Sequence, residues 1–305
     1  MKLKLFVMTV LLIIAGAVTP AEAAPLKIVA SQAFFADLVK QIGGERVEVK
    51  FVAPPKFNVH FIQPRPSDIR NLAQANLAVY CGLDLEAWWG PLVEAAGRVD
   101  FFPGRDRSVD LSRGIRILNP PTHAISRAEG DIHAFGNPHY QMDPRNALIM
   151  AGTIAERLTA IDPQGASSYE AALSVFRKRM EEKIAQWKTQ CAGCAGKEVI
   201  AYHEDLNYLG DFLGVRMEQF LEPRPGIPPT PKQLVFLEEY GKTHAIRAIV
   251  QPTYYPADAA EAVAKKIGAK VITVAVNAGE IKGTEDVFGF FNYNIGELVK
   301  VLGAQ

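Results

Sequence analysis

The amino-acid sequence predicts an α/β fold of two lobes, each built on a parallel sheet, joined by one long helix. Short apolar runs of strand length alternate with amphipathic segments over residues 26–96, and this alternation returns over residues 199–302. Such alternation is typical of parallel strands connected by crossover helices. Between the two halves lies an amphipathic segment over residues 167–189, which is long enough to link them as one straight helix.

The first half alternates strands and helices, with Gly and Pro at the breaks. Continuous apolar runs predict the strands, and apolar residues at steps of three and four predict the helices. Pro66-Ser67-Asp68 predicts a helix start with Ser67 as its N-cap. From residue 98 to residue 143 the pattern gives way to loops rich in Gly, Pro and polar residues. The predicted elements are strand 26–30, helix 35–42, strand 47–52, a helix from 66, strand 77–80 and helix 88–96.

A helix over residues 145–161 precedes the long segment, and the α/β rhythm returns after it. Thr230, Pro231 and Gln233 predict a capping box with Pro at the first helical position. The apolar stripe of the long segment consists of Tyr169, Leu173, Phe176, Met180, Ile184 and Trp187. The later elements are strand 199–202, helix 206–213, a helix from 231, strand 246–250, helix 257–267, strand 270–275 and helix 288–302.

The first residues have the pattern of an export signal. Lys2 and Lys4 precede an apolar stretch over residues 5–18, and Ala21-Glu22-Ala23 supplies the small residues for cleavage near Ala24. No later apolar run reaches membrane-spanning length, and no cysteine follows closely enough for a lipid anchor. We therefore expect a soluble protein exported to a bacterial periplasm. The predicted organisation is a signal peptide over 1–23, an N-terminal lobe over 24–144, connecting helices over 145–194 and a C-terminal lobe over 195–305.

The composition excludes some partners and leaves the state of the cysteines open. The 33 Lys and Arg residues balance 33 Asp and Glu residues, so the basic surplus needed for nucleic acid or an anionic membrane is missing. Cys191 and Cys194 form a Cys-x-x-Cys pair, which suits a redox-active site, half of a metal site or a local disulfide. An oxidising compartment favours the local disulfide. Cys81 lies in an apolar run and is expected to be buried.

Three of the 6 histidines occupy similar settings, just beyond apolar strand-like runs. His60 and His203 come from opposite halves, and His139 comes from the loop region between them. Neutral imidazole is a common transition-metal ligand, and sites in α/β folds form in the cleft at the carboxyl ends of strands. A solvent-exposed or hydrogen-bonded imidazole is the alternative for any single histidine, and it suits His244 and His123.

Three segments resemble the ligand segments of the zinc and manganese solute-binding proteins of ABC transporters. They are HFIQPRPSDI over residues 60–69, NPHYQMDP over residues 137–144 and VIAYH over residues 199–203. The resemblance covers essentially the whole mature chain. It implies two pseudo-symmetric α/β lobes with parallel sheets, joined by one long rigid helix, and a metal site in the interlobe cleft. The ligands it implies are His60, His139 and His203.

The same resemblance implies a transport role without catalysis. On this resemblance, the protein is expected to capture a divalent metal ion in the periplasm and to deliver it to an ABC transporter permease in the inner membrane. A monomer is expected, and a metallochaperone is a further candidate partner. The rigid helix implies limited lobe closure, so that loop rearrangement contributes to release.

The chain departs from the family at the fourth ligand. The family often supplies a carboxylate from the second lobe, but Gln251 stands where a Glu can occur, and Val276-Asn277-Ala278 stands where an Asp is expected. Glu280 is close by but out of register. His133, six residues before His139, is an alternative fourth ligand, and water is another. The His/Asp-rich loop of many zinc-specific members is reduced here to His123, Asp131 and His133.

Ligand type favours Zn²⁺ over Mn²⁺, because hard ions prefer carboxylate oxygens whereas three imidazoles suit zinc. Two other classes of protein remain open. A secreted zinc hydrolase would also hold zinc with three His and a water, with Glu204 or Asp205 as general base. A two-lobed receptor for a chelated metal or cofactor would use Trp88, Trp89 and Tyr254-Tyr255 to line a larger cleft.

Overall fold

The computed structural model describes residues 24–122, 133–222, 224 and 226–303. The expected signal peptide over residues 1–23, together with His123 and Asp131, lies outside these residues. Within the described part of the chain, no helix combines the length and apolar character needed to cross a membrane.

The N-terminal lobe contains a four-stranded parallel sheet with the strand order β2-β1-β3-β4. The inner strands are buried along most of their length, as expected for a parallel sheet covered on both faces. The elements are β1 (Leu26–Gln32), α1 (Ala33–Gly43), β2 (Val47–Ala53), α2 (Pro66–Ala73), β3 (Leu77–Tyr80), α3 (Trp89–Ala95) and β4 (Ser108–Asp110).

Two helices connect the lobes, namely α4 (Pro144–Ile161) and the long α5 (Ala166–Gln190). The predicted apolar stripe of α5 faces the core. Four of its residues are buried, and Leu173 and Ile184 pack against the core at its edge. The buried four are Tyr169, Phe176, Met180 and Trp187.

The C-terminal lobe repeats the topology of the first, with the parallel strand order β6-β5-β7-β8. In both sheets the first strand is central, the second pairs on one side of it, and the third and fourth follow on the other. The two lobes are therefore pseudo-symmetric, as predicted. The elements are β5 (Glu198–Ala201), α6 (Asn207–Leu213), β6 (Arg216–Phe220), α7 (Pro231–Thr243), β7 (Ala248–Pro252), α8 (Ala257–Ile267), β8 (Lys270–Val274) and α9 (Val287–Leu302).

The lobes are packed directly on each other as well as through α5. One continuous cluster of buried apolar side chains extends from α1 through α5 to α9. The ring centroid of Phe34 lies 5.2 Å from that of Phe290, and Trp187 lies 5.5 Å from Phe291. Asn277 Oδ1 in the C-terminal lobe also accepts a hydrogen bond of 3.1 Å from the Phe34 N–H in the first turn of α1. These contacts join the two lobes through a shared core.

Two strands were not predicted, and their character explains why. Strand β4 has only three residues and lies in the region expected to be loops. Strand β6 is an edge strand with the sequence RMEQF, so it lacks the continuous apolar run of a central strand. An edge strand of a parallel sheet can be polar because one of its sides faces solvent.

Two capping predictions also differ from the structure. Ser67 is not the N-cap of α2, because Pro66 occupies the first helical position and Arg65 precedes it as the cap residue. The capping box of α7 forms only in part. The hydroxyl of Thr230 accepts from the Gln233 N–H, but the Gln233 side chain donates to the Phe220 carbonyl instead of returning to the cap.

The local disulfide expected between Cys191 and Cys194 is not formed, and all three cysteines are buried free thiols. Burial raises the pKa of Cys191 to about 12 and also raises that of Cys194. The reactive thiolate is therefore disfavoured at both positions. Cys81 is fully buried, as expected.

Candidate metal centre

The three predicted histidines are carried by loops that follow or precede regular elements. His60 lies in a short 3₁₀ turn over Val59–Phe61, which follows β2. His203 comes two residues after the carboxyl end of β5, and His139 directly precedes the 3₁₀ turn Tyr140–Met142 that leads to α4. A fourth histidine, His133, lies in the loop leading to His139.

The rings of the four histidines lie close together. The ring centroid of His60 lies 5.2 Å from that of His139 and 5.6 Å from that of His203. The rings of His139 and His203 are 5.4 Å apart, and His133 is 5.2 Å from His60. The structure thus brings His60, His139 and His203 together and places His133 beside them.

Asparagine side chains fix two of the histidine-bearing turns in the same way. The Asn58 Oδ1 accepts from the His60 N–H at 3.0 Å, and the Asn137 Oδ1 accepts from the His139 N–H at 2.9 Å. Asn137 also donates to the Glu204 carbonyl, next to His203. The repeated Asn-x-His pattern of the sequence is the signal that would have identified these supporting residues.

Trp88 supports the turn that carries His60. It is buried, and its indole N–H donates a 2.7 Å hydrogen bond to the carbonyl of Val59 in that turn. Tyr254 donates to the buried carboxylate of Asp205, while Tyr255 stacks on Tyr202 with ring centroids 3.8 Å apart. These aromatic residues pack against and position the loops.

In two of the rings Nδ1 has a hydrogen-bond partner, which leaves Nε2 as the candidate metal-binding nitrogen. His60 Nδ1 lies 2.7 Å from Asn58 Oδ1, and His203 Nδ1 lies 3.0 Å from Glu222 Oε2. His60 Nε2 lies 3.2 Å from His133 Nε2. The Nε2 of His139 is buried and has no hydrogen-bond partner within the described residues. Buried polar atoms are normally paired, so this orphan nitrogen indicates a missing ligand.

The spacing of the nitrogens suits a small tetrahedral ion. The candidate ligand atoms of His60, His133 and His139 all lie within 4.8 Å of one another, and His203 is not a member of this group. With zinc–nitrogen bonds of about 2.0–2.1 Å, two ligands of a tetrahedral site lie roughly 3.3 Å apart. The 3.2 Å between the Nε2 atoms of His60 and His133 is close to this value.

The electrostatic environment keeps three of the imidazoles neutral. Burial, reinforced by the neighbouring histidines, lowers the pKa of His60 and of His139 well below 6.5. Burial likewise lowers the pKa of His133 to about 4. A neutral imidazole has a free lone pair, so these three rings are ready to bind a metal ion at neutral pH.

His203 differs from the other three histidines. Burial is the largest single influence and lowers its pKa, but the hydrogen bond to Glu222 and the nearby charge of Asp205 outweigh it, and the net shift is upward. Burial raises the pKa of Asp205 itself to about 7. Glu222 was not singled out from the sequence, because it follows the unpredicted strand β6.

The other candidates for a fourth ligand have different surroundings. The carboxylate of Glu280 accepts hydrogen bonds from the main-chain N–H groups of Thr253, Val276 and Asn277, so both of its oxygens are occupied. Asn277 is turned to Phe34 and its own loop. Gln251 is buried, and its Oε1 has no partner within the described residues. His133 is the candidate that contacts the histidine cluster directly.

Comparison with known proteins identifies the family of the chain. Residues 28–301 match the ZnuA family, described as zinc-uptake complex component A, periplasmic. The manganese ABC transporter substrate-binding lipoprotein PsaA of Streptococcus pneumoniae is 27% identical over 223 residues, which cover 70% of this chain and 67% of the relative. A putative metal-binding protein of Treponema pallidum (strain Nichols) is 25% identical over 244 residues, covering 78% of this chain and 75% of the relative.

Solved structures share the fold at lower sequence identity. A crystal structure of ZnuA superimposes with a TM-score of 0.76 at 21% identity, covering 91% of this chain and 99% of that one. The Mn-bound periplasmic metal-binding protein from Candidatus Liberibacter asiaticus gives a TM-score of 0.72 at 19% identity, with coverages of 90% and 98%. The predicted fold of two parallel-sheet lobes joined by a long helix is thereby confirmed.

Proposed function

The chain belongs to the ZnuA family of periplasmic metal-binding components of ABC transporters, and on this premise we propose that its cargo is Zn²⁺, held by His60, His139 and His203. The observation that carries the proposal is the close approach of the His60 and His203 rings to His139, whose buried Nε2 has no hydrogen-bond partner within the described residues. Its relatives include manganese-binding proteins, so the identity of the ion is argued from the ligands of this chain.

The ligand chemistry favours zinc. Four imidazole nitrogens are borderline-soft donors, which suit Zn²⁺, whereas Mn²⁺ favours carboxylate and carbonyl oxygens. The positions that would supply a carboxylate hold Gln251 and Asn277, and the carboxylate of Glu280 is already hydrogen-bonded. We assign His133 as the fourth ligand, since its Nε2 is close to that of His60.

Delivery of the ion requires a partner in the inner membrane, and we propose an ABC transporter permease. A monomer suffices, because all four proposed ligands belong to one chain. A metallochaperone is a further candidate partner. We propose that a signal peptide cleaved near Ala24 directs export to the periplasm. Binding and delivery of an ion require no catalysis by the site.

The contacts between α1, α5 and α9 favour release by loop movement over release by separation of the lobes. In that case, crystal structures with and without zinc differ in the loops around His60 and His133, while the lobes superimpose as one body. Structures that overlap fully, loops included, would contradict this mode of release.

The experiment that tests the proposal measures metal affinity of the mature protein by competition with a chelator. We expect tight zinc binding with one ion per chain, weaker manganese binding, and a loss of affinity of roughly 100-fold or more in His139→Ala and His203→Ala. His244→Ala is the matched control, because His244 stacks on Tyr240 with ring centroids 3.9 Å apart, away from the histidine cluster. Unchanged zinc affinity in His139→Ala or His203→Ala would reject the site.

A further inference from the structure

A buried carboxylate lies behind the histidine cluster, on the side of the C-terminal lobe. Glu222 follows β6, and its Oε2 lies 3.0 Å from Nδ1 of His203. Both side chains are buried, with exposed fractions of 7% for Glu222 and 6% for His203. The Gly226 N–H donates to the same oxygen at 3.3 Å, and the Tyr255 hydroxyl also hydrogen-bonds to this carboxylate. Glu222 is therefore held firmly in its contact with the ring.

This contact determines which nitrogen of His203 is free. A carboxylate accepts hydrogen bonds, so it holds the ring proton on Nδ1 and leaves the lone pair on Nε2. The ring of His203 lies 5.4 Å from that of His139, with the two planes nearly perpendicular. Such carboxylate–histidine pairs orient metal ligands and increase their basicity.

The contact between Glu222 and His203 also affects the charge balance of the proposed site. Four neutral imidazoles bring no negative charge to a buried divalent ion, and a buried charge without compensation is costly. The partner of the His60 ring is the neutral amide of Asn58, and the partner of the His133 ring is the main chain at Asp84. Glu222 instead places a carboxylate one ring away from the proposed ion.

We propose that Glu222 is a positioning residue that presents Nε2 of His203 to the metal and supplies the negative charge that a carboxylate ligand would otherwise bring. The inference rests on the proposed zinc site. It also explains how the site could bind a divalent ion without the acidic ligand expected at the position of Asn277. The negative charge would come from Glu222, which contacts His203 instead of the ion.

The chain offers a matched control for this proposal. Glu198, at the start of β5, is also buried, and its Oε2 lies 3.4 Å from Nδ1 of His244. It forms a carboxylate–histidine pair in the same lobe, outside the histidine cluster. Glu198→Gln therefore removes a comparable buried charge without touching the proposed ligands.

The first experiment measures zinc affinity in Glu222→Gln, Glu222→Ala and Glu198→Gln. Glu222→Gln can keep the hydrogen bond to Nδ1 of His203 but removes the negative charge, whereas Glu222→Ala removes both. We expect affinity to fall roughly 10-fold in Glu222→Gln and up to 100-fold in Glu222→Ala, with Glu198→Gln within twofold of wild type. The visible spectrum of bound Co²⁺ should change only in the Glu222 variants.

The second experiment separates positioning from a general structural role. In a His203→Ala background, Glu222→Gln should cause a clearly smaller further loss, because the ring that Glu222 positions is gone and only the charge of the carboxylate still acts. The proposal is overturned if Glu222→Gln binds zinc like wild type, or if its effect is undiminished in the His203→Ala background. Should Glu222→Ala fail to fold, Glu222→Gln decides alone. Absence of zinc binding in the wild-type protein would instead reject the proposed function.

Discussion

Nε2 of His60 lies 3.2 Å from Nε2 of His133, although the two residues are 73 positions apart in the chain. The first belongs to the turn after β2, and the second to the loop that leads to His139. Two lone-pair-bearing nitrogens at this distance share either a proton or an ion. This pairing is the reason for assigning His133 to the site in place of a water or a carboxylate.

We expect His133→Ala to bind zinc roughly 10-fold more weakly than wild type and to release it faster, with the ion still retained. A water molecule can take the vacated position, whereas the other three histidines remain. Stopped-flow release into a chelator measures the rate, with His244→Ala as the reference. A rate equal to that of the reference would remove His133 from the ligand set.

A second prediction concerns Asn277, which stands where the family has an acidic ligand. Its Oδ1 accepts from the N–H groups of Phe34 and Ala278, so the side chain satisfies an otherwise free donor in the first turn of α1. We expect Asn277→Asp to keep the same hydrogen bonds and to preserve the preference for zinc over manganese. Competition between the two ions measures this. A gain of tenfold or more in manganese affinity would show that the introduced carboxylate reaches the ion.

The third prediction concerns pH and Glu86, a buried carboxyl group outside the histidine cluster. Burial raises its pKa from 4.5 to about 7, although the N–H groups of Cys81 and Gly82 donate to it. The folded chain therefore holds this proton more tightly than the unfolded chain. The tighter binding of this proton stabilises the fold fully below about pH 4.5. As the pH rises through about 7 Glu86 loses the proton, and the free energy of unfolding falls by roughly 3 kcal/mol.

Guanidinium unfolding of the metal-free protein at pH 5 and pH 8 measures this loss, with Glu86→Gln as the comparison. Other buried groups titrate in the same range, so the difference between the two proteins is the quantity of interest. We expect wild type to lose more stability than Glu86→Gln between the two pH values. Equal losses would show that Glu86 does not titrate in this range.

The fourth prediction concerns the thiols. Because all three cysteines are buried and burial raises their pKa values, the native protein should react only slowly with an aromatic disulfide reagent. Denatured protein should titrate all three thiols. A single reactive thiol after denaturation would instead indicate that Cys191 and Cys194 had formed the local disulfide favoured by the sequence.

The sequence predicted the central strands and long helices because their apolar residues leave a strong periodic signal. The helix α8 agrees with its predicted bounds, and the stripe of α5 faces the core. Strand β6 left no such signal, since its alternating polar side chains suit an edge position. The cap of α2 was misplaced because the preference of Pro for the first helical position outweighs that of Ser for the cap.

The lack of a local sequence signal also limited the prediction of the site. His60, His139 and His203 were proposed as ligands because ligand loops follow strand ends, and in the structure their rings lie near one another. Glu222 was missed because it follows β6, the strand that was not predicted. The failure to recognise one edge strand therefore concealed the carboxylate behind His203. Contacts between residues far apart in sequence, such as Asn277 with Phe34, leave no local pattern at all.

Because loops from both lobes meet at the proposed site, an ion bound there would act as a reversible crosslink of the chain. The unfolded polypeptide cannot offer the four histidines together, so such an ion would bind the folded form alone. Its binding free energy is then added to the stability of the fold, by about 4 kcal/mol when free zinc exceeds Kd a thousandfold. Loaded and empty protein thus differ in heat resistance, and a melting curve reports occupancy.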